Sequence, residues 1–157
     1  MSNRITRDQL YMTIANLYSQ RSTCLRGQVG VIIVNHPHIL SGGYNGAPSG
    51  QPHCIDEGCL LDNRGRCIRC IHAEANAIAF AAQIGVSLKG STLYTTLSPC
   101  VPCAQLIINA GIIRVVYERA YHDVAGITQL NICGVDTVFY PTSNLCNVFN
   151  RSTYAHS

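Results

Sequence analysis

The sequence has no tryptophan, two methionines and three phenylalanines, and only 12% of its residues are charged. Soluble domains usually carry about 25% charged residues. With 47% hydrophobic residues beside it, so low a charge argues against a disordered chain and implies that much of the surface is covered. Eleven basic against eight acidic side chains leave +3, too mild to announce nucleic acid or membrane as a partner. No apolar run approaches the ~20 residues of a membrane span. Met1 to Leu10 carries Arg4, Arg7 and Asp8 and has no apolar signal core. No long linker, charge block or internal repeat divides the chain, so residues 1–157 read as one domain.

What the sequence has in excess is cysteine, nine in all. An odd number excludes complete internal disulfide pairing. Without a signal core the expected compartment is the cytoplasm, where thiols stay reduced and clustered cysteines point to metal or catalysis. These cysteines are therefore read as ligands.

Thr6 is placed to cap a helix running to about Gln20, with Leu10, Ile14, Leu17 and Tyr18 on one face. Val29 to Asn35 is a nearly continuous β-branched run, as in a strand buried on both faces, and His38 to Tyr44 is its hairpin partner. Residues 45–71 have little periodicity and hold six Gly or Pro with Cys54, Cys59, Cys67 and Cys70. A loop this long in a compact domain needs a staple or a function. Ala73 to Ile84 reads as a helix ended by Gly85, Thr92 to Leu97 as a strand, and Val101 to Ala110 as a helix ended by Gly111. Ile113 to Tyr117 is a strand, Asp123 to Cys133 a helix closed by Gly134, and Asp136 to Tyr140 a last strand. Residues 142–157 form a polar tail, loose or packed on a neighbour. Hairpin first, then alternating helices and strands, predicts an α/β fold: a three-layer α/β/α sandwich around a mixed five-stranded sheet.

The chemistry lies in His72-Ala73-Glu74 and Pro99-Cys100-Val101-Pro102-Cys103. Cys100 and Cys103 are three apart, so at a first helical turn both sulfurs face one way. His72 and Glu74 are about 200° apart on a regular helix, and share a site only if His72 sits at or before the helix start. One imidazole and two thiolates leave a fourth tetrahedral position open for water, as a catalytic zinc requires. Two helix N-termini aimed at the thiolates favour their charged form. Glu74 is then the proton carrier beside the metal. A lone Cys-x-x-Cys more often builds a structural zinc knuckle, but such a site has no use for Glu74. His-x-Glu with Pro-Cys-x-x-Cys is the signature of zinc nucleobase deaminases.

From about Arg21 to Tyr140 the sequence resembles the deoxycytidylate deaminase family. Beyond the zinc motif, the resemblance rests on Gly43-Tyr44-Asn45-Gly46-Ala47-Pro48-Ser49-Gly50, Gln28-Val29-Gly30, His72 to Ile78 and Leu106 to Ile112. Free-cytidine deaminases usually have Cys at the position of His72, and tRNA adenosine deaminases lack the Gly-Tyr-Asn-Gly loop. The resemblance implies zinc-dependent hydrolysis of dCMP to dUMP and ammonia, feeding thymidylate synthesis. It also implies activation by dCTP, inhibition by dTTP, Mg²⁺ carried on the triphosphate, and a homohexamer.

On residues alone the glycine-rich loop reads as a tight turn more readily than as a nucleotide cradle. With the resemblance, Asn45 is expected at the deoxyribose and Arg26 at the 5′-phosphate, whose geometry a guanidinium matches. A solvated loop arginine remains the alternative for Arg26, and packing the alternative for Tyr121, which would close the pocket. Backbone groups near Ala73 and Leu97-Ser98 would hold the cytosine ring. Gly43, Asn45 and Gly46 are the candidates for effector contacts. Some relatives have a second, structural zinc, which would staple the long loop. Cys24, Cys54, Cys59 and Cys67 are the favoured ligands here, with Cys70 as substitute, and free buried thiols are the alternative. Cys133 is expected in a helix core and Cys146 in the tail. A nucleic-acid editor would need a basic groove with stacking aromatics, which +3, three Phe and no Trp do not supply.

Overall fold

The computed structural model describes residues 4–145. Of the tail, Thr142–Leu145 form a 3-10 turn, to which Gln9 of the first helix donates at Asn144 O (3.0 Å). Residues 146–157, with Cys146, lie outside the described residues. Helix α1 (Arg7–Ser19) begins at the predicted cap: Thr6 Oγ1 accepts from the Gln9 amide at 3.1 Å, and Gln9 Oε1 accepts from the Thr6 amide at 2.8 Å. This reciprocal pairing satisfies two of the donors every helix start leaves free. The buried face of α1 differs from the expected one. Tyr11, Met12 and Ala15 are buried, whereas Leu10, Leu17 and Tyr18 are exposed.

Strands β1 (Gly30–Asn35) and β2 (His38–Tyr44) form the hairpin. They are followed by the short helix α2 (Cys54–Glu57), α3 (Ala73–Gln83), β3 (Thr92–Thr95) and α4 (Val101–Asn109). Strand β4 (Arg114–Tyr117), helix α5 (Ala125–Ile132) and strand β5 (Asp136–Phe139) complete the order. Gly111 and Gly134, at φ +77° and +79°, turn the chain out of α4 and α5 in a conformation only glycine adopts cheaply. The sheet order is β2-β1-β3-β4-β5, with β1 antiparallel to β2 and β3, and β3, β4 and β5 parallel.

Alternate residues of each strand face opposite layers. Val31, Ile33, Leu93 and Val115 pack under Ala73 and Ala77 of α3, Ile107 of α4 and Leu130 of α5. Ile32, Val34, Tyr94 and Val116 face α1 through Tyr11, Met12 and Ala15. The fold is thus the expected three-layer sandwich. The parallel strands put their C-terminal ends, where ligands bind in open α/β sheets, beside the starts of α3 and α4.

A polar clamp fastens α1 to the sheet. Arg114 on β4 donates to both oxygens of Asp8 at 3.1 Å, and the Tyr94 hydroxyl donates to Asp8 at 2.6 Å. Burial works against the Asp8 charge, but the hydrogen bonds from Arg114 and Tyr94 outweigh it and hold the carboxyl below its usual range. A carboxyl lowered in this way stabilises the fold above its unfolded pKa, and loses that contribution as pH falls through the folded value. Asp8→Asn is expected to cost about 1–2 kcal/mol at neutral pH. In urea unfolding that difference should shrink below about pH 4; a constant difference from pH 7 to pH 3 contradicts the assignment.

Candidate active site and thiol cluster

The base of the long loop is zipped by two main-chain bonds, Ile71 N to Gly46 O at 2.8 Å and Gly46 N to Ile71 O at 3.2 Å. The next residue, His72, is the extended N-cap of α3, which resolves the spacing problem: His72 precedes the helix and Glu74 lies in its first turn. Cys100 is likewise the N-cap of α4, and Cys103 follows inside its first turn. His72 Nδ1 lies 3.4 Å from both the Cys100 and the Cys103 sulfur. Tetrahedral zinc with ordinary bond lengths would set a nitrogen and a sulfur ligand about 3.6 Å apart. The donor set and spacing therefore fit zinc, with Cys103 buried and His72 on the exposed, open side.

The two sulfurs shift in opposite directions. Cys100 is pulled down to about 4 by the Cys103 thiol, by His72 and by the main-chain amide of Cys103. Cys103 is driven up, first by its bond to Cys100 and then by burial. The Cys100 sulfur in turn raises the His72 imidazole. Glu74 is 4% exposed, and burial pushes its carboxyl above the usual glutamate range. A carboxyl poised upward is suited to take and return a proton near neutral pH.

The substrate candidates occupy separate segments of the chain. Ala73 is buried at the start of α3. Ser98 is buried too, donating its amide to Arg119 O at 2.8 Å and accepting the Tyr121 amide on Oγ at 2.7 Å. The Tyr121 ring is tilted against His122 at a centroid separation of 4.0 Å. Arg26 is exposed, its guanidinium on the Gly65 carbonyl.

Asn45 is buried and already engaged. Its Oδ1 accepts from Ser22 Oγ at 2.6 Å and from the Val29 amide at 2.9 Å, and its Nδ2 donates to Gly27 O. It therefore pins residues 22–29, the segment that carries Arg26. Gly43 faces α3: a Cβ there would lie 2.5 Å from Ala73 O and 2.7 Å from Ala77 N. Its absence of a side chain is what seats the first turn of α3 on β2. Gly46 borders a groove of about 630 Å³, lined also by Tyr44, Pro48, His53, Asn76 and Phe80.

The loop cysteines form a second constellation. Cys54 Sγ lies 3.3 Å from Cys70 Sγ and 3.6 Å from Cys67 Sγ. About 3.8 Å is the expected separation of two thiolates on tetrahedral zinc. Cys67 and Cys70 thus converge on Cys54, so Cys70, expected only as a substitute, is a full member of the cluster. Cys59 touches Cys54 and Cys67, and Cys24 touches Cys70, one on each flank. Burial opposes ionisation of Cys67, but the amides of Cys70 and Arg69 point at its sulfur and bring it down to about 7. That is the hydrogen bonding a metal-bound thiolate uses. Cys133 is exposed at the end of α5, not in a helix core as expected.

Residues 5–119 match the family model of the cytidine and deoxycytidylate deaminase zinc-binding region. The chain belongs to that family. It is 44% identical over 118 residues to ComE operon protein 2 of Bacillus subtilis, covering 75% of this chain but 62% of that relative, less than two thirds of its length. It is 35% identical over 147 residues to the deoxycytidylate deaminase of enterobacteria phage T4, covering 70% of this chain and 76% of the phage enzyme. The crystal structure of dCMP deaminase from cyanophage S-TIM5 with dCMP and dUMP superposes with a TM-score of 0.78 at 36% identity. It covers 87% of this chain and 100% of the phage chain. Among the described residues, no helix is long and apolar enough to cross a membrane.

Proposed function

We propose that this protein is a zinc-dependent dCMP deaminase, converting dCMP and water to dUMP and ammonia. The observation that carries the reading is His72 Nδ1 at 3.4 Å from two cysteine sulfurs, with the buried Glu74 carboxyl in the same helical turn. Zinc bound by His72, Cys100 and Cys103 would supply Lewis acidity and make water a nucleophile at neutral pH. Glu74 would take one proton from the attacking water and deliver it to the ring nitrogen. It would then take the proton of the hydroxyl newly joined to the ring carbon and deliver it to the amine, so that ammonia leaves as the carbonyl of dUMP forms. Main chain at Ala73 and Ser98 holds the cytosine, Tyr121 closes over the nucleotide, and Arg26 receives the 5′-phosphate. Asn45 acts on the nucleotide through the 22–29 segment it fixes. The S-TIM5 enzyme with bound dCMP and dUMP supports the nucleotide monophosphate as substrate. Ammonia release from dCMP, CMP, dC and dCTP tests the choice: dCMP is expected to be strongly preferred, and equal turnover of dC contradicts phosphate recognition.

Regulation by dCTP as activator and dTTP as inhibitor, each with Mg²⁺, belongs to the same reading. The groove beside Gly46 falls within the ~300–1,000 Å³ of ordinary ligand sites and is offered as the effector site. The exposed Ile55, Leu60, Leu61 and Ile68 of the long loop supply apolar surface for subunit contact in a homohexamer. The second zinc is proposed on Cys54, Cys67 and Cys70, with Cys24 or Cys59 as the fourth ligand. Metal analysis should find about two zinc ions per chain, falling to one in Cys54→Ser. One zinc in the unaltered protein contradicts the second site, and comparing Cys24→Ser with Cys59→Ser identifies the fourth ligand.

A further inference from the structure

We infer that Gly126 is a positioning residue for the catalytic centre, holding the main chain of the Pro99-Cys100 turn in place. Gly126 is the buried second residue of α5. A Cβ there would run into the Pro99 carbonyl oxygen, and would lie 2.9 Å from the Cys100 carbonyl carbon and 3.0 Å from that of Pro99. All three atoms are main chain, so no flexible side chain can yield. Either α5 or the ligand turn must move. Gly134, at the far end of the same helix, would meet nothing within 4 Å.

The turn is fixed from its other side as well. Ser98 is bonded through its amide to Arg119 O and through Oγ to the Tyr121 amide. The upstream end of the turn is therefore anchored, and α5 closes on the downstream end, where Cys100 caps α4 and presents its sulfur. Pushing that turn away displaces Cys100 relative to His72, whose imidazole belongs to a different helix and does not follow. The contact depends on a missing side chain.

The inference rests on the metal reading of His72, Cys100 and Cys103. Its test is competition of a chromophoric chelator for zinc, with kcat and KM for dCMP, in Gly126→Ala and in Gly134→Ala. Gly126→Ala is expected to lose about 10–100-fold in zinc affinity, as removal of an outer support to a ligand does. Its kcat should fall by about 10²-fold, the cost of a misplacement near 1 Å, with KM little changed. Co²⁺ bound in place of zinc should show altered thiolate charge-transfer bands. Gly134→Ala is expected to lower the melting temperature through its positive φ while leaving zinc affinity and kcat near those of the unaltered protein. A folded Gly126→Ala protein with unaltered zinc affinity, spectrum and kcat overturns the inference. No zinc at His72, Cys100 and Cys103 in the unaltered protein overturns instead the reading beneath it. If Gly126→Ala does not fold, hydrogen exchange of the unaltered protein decides. Zinc should then protect the first turn of α5, which supplies no ligand, and protection confined to α3 and α4 contradicts the coupling.

Discussion

Glu74→Gln is expected to keep zinc at His72, Cys100 and Cys103 while kcat on dCMP falls by about 10³-fold or more, near the upper end of what one acid–base group supplies. Glutamine fills the same volume, so α3 and its contacts should be unchanged. What is lost is a group able to accept and return a proton. Glu74 is 4% exposed, and burial already holds its carboxyl above the usual range. A buried carboxylate is costly for the fold, so its place here is explained by chemistry rather than stability. Zinc content by atomic emission and single-turnover dUMP formation together check the prediction. Full activity removes Glu74 from its role, and loss of zinc would make the residue a structural support instead.

Cys103→Ala is expected to abolish both zinc retention and turnover. Cys103 is the buried donor of the set, 3% exposed, and its sulfur is 3.4 Å from His72 Nδ1. Removing it leaves one imidazole and one thiolate, too few to hold the metal against a chelator. The loss in affinity should exceed the ~10–100-fold typical of removing an outer support. Metal-free forms of the variant and the unaltered protein should melt within a few degrees of each other, because only one small side chain is lost. Retained zinc in Cys103→Ala contradicts the ligand assignment, and equilibrium dialysis reads it directly.

The centre itself was legible because its geometry follows from local rules. Cys-x-x-Cys at a helix start puts two sulfurs on one side, and His72 before an alanine-rich helix places its ring opposite them. The sheet was legible for a similar reason: β-branched runs and glycine-terminated helices alternate plainly. The face of α1 was not, because its exposed leucines outweigh Met12 and Ala15 on any hydrophobic count, while the partner surface of Ile32, Tyr94 and Val116 lies far away in sequence. The Asp8–Arg114 clamp spans 106 residues, and no periodicity announces it. Asn45 carried a ligand-like pattern, and the structure gives its amide three partners within the protein. Glycines are hardest of all. Gly43 and Gly126 read as a loop element and an unremarked helix residue, and both are close approaches of backbone to backbone at the two helix starts of the site.

Conversion of dCMP to dUMP, followed with ammonia release before and after zinc is stripped and restored, tests the central claim most directly. The predicted result is equimolar dUMP and ammonia from the zinc-loaded protein, none after chelation, and recovery on return of zinc. Turnover that survives complete zinc removal, or a zinc-loaded protein that leaves dCMP intact, would contradict it.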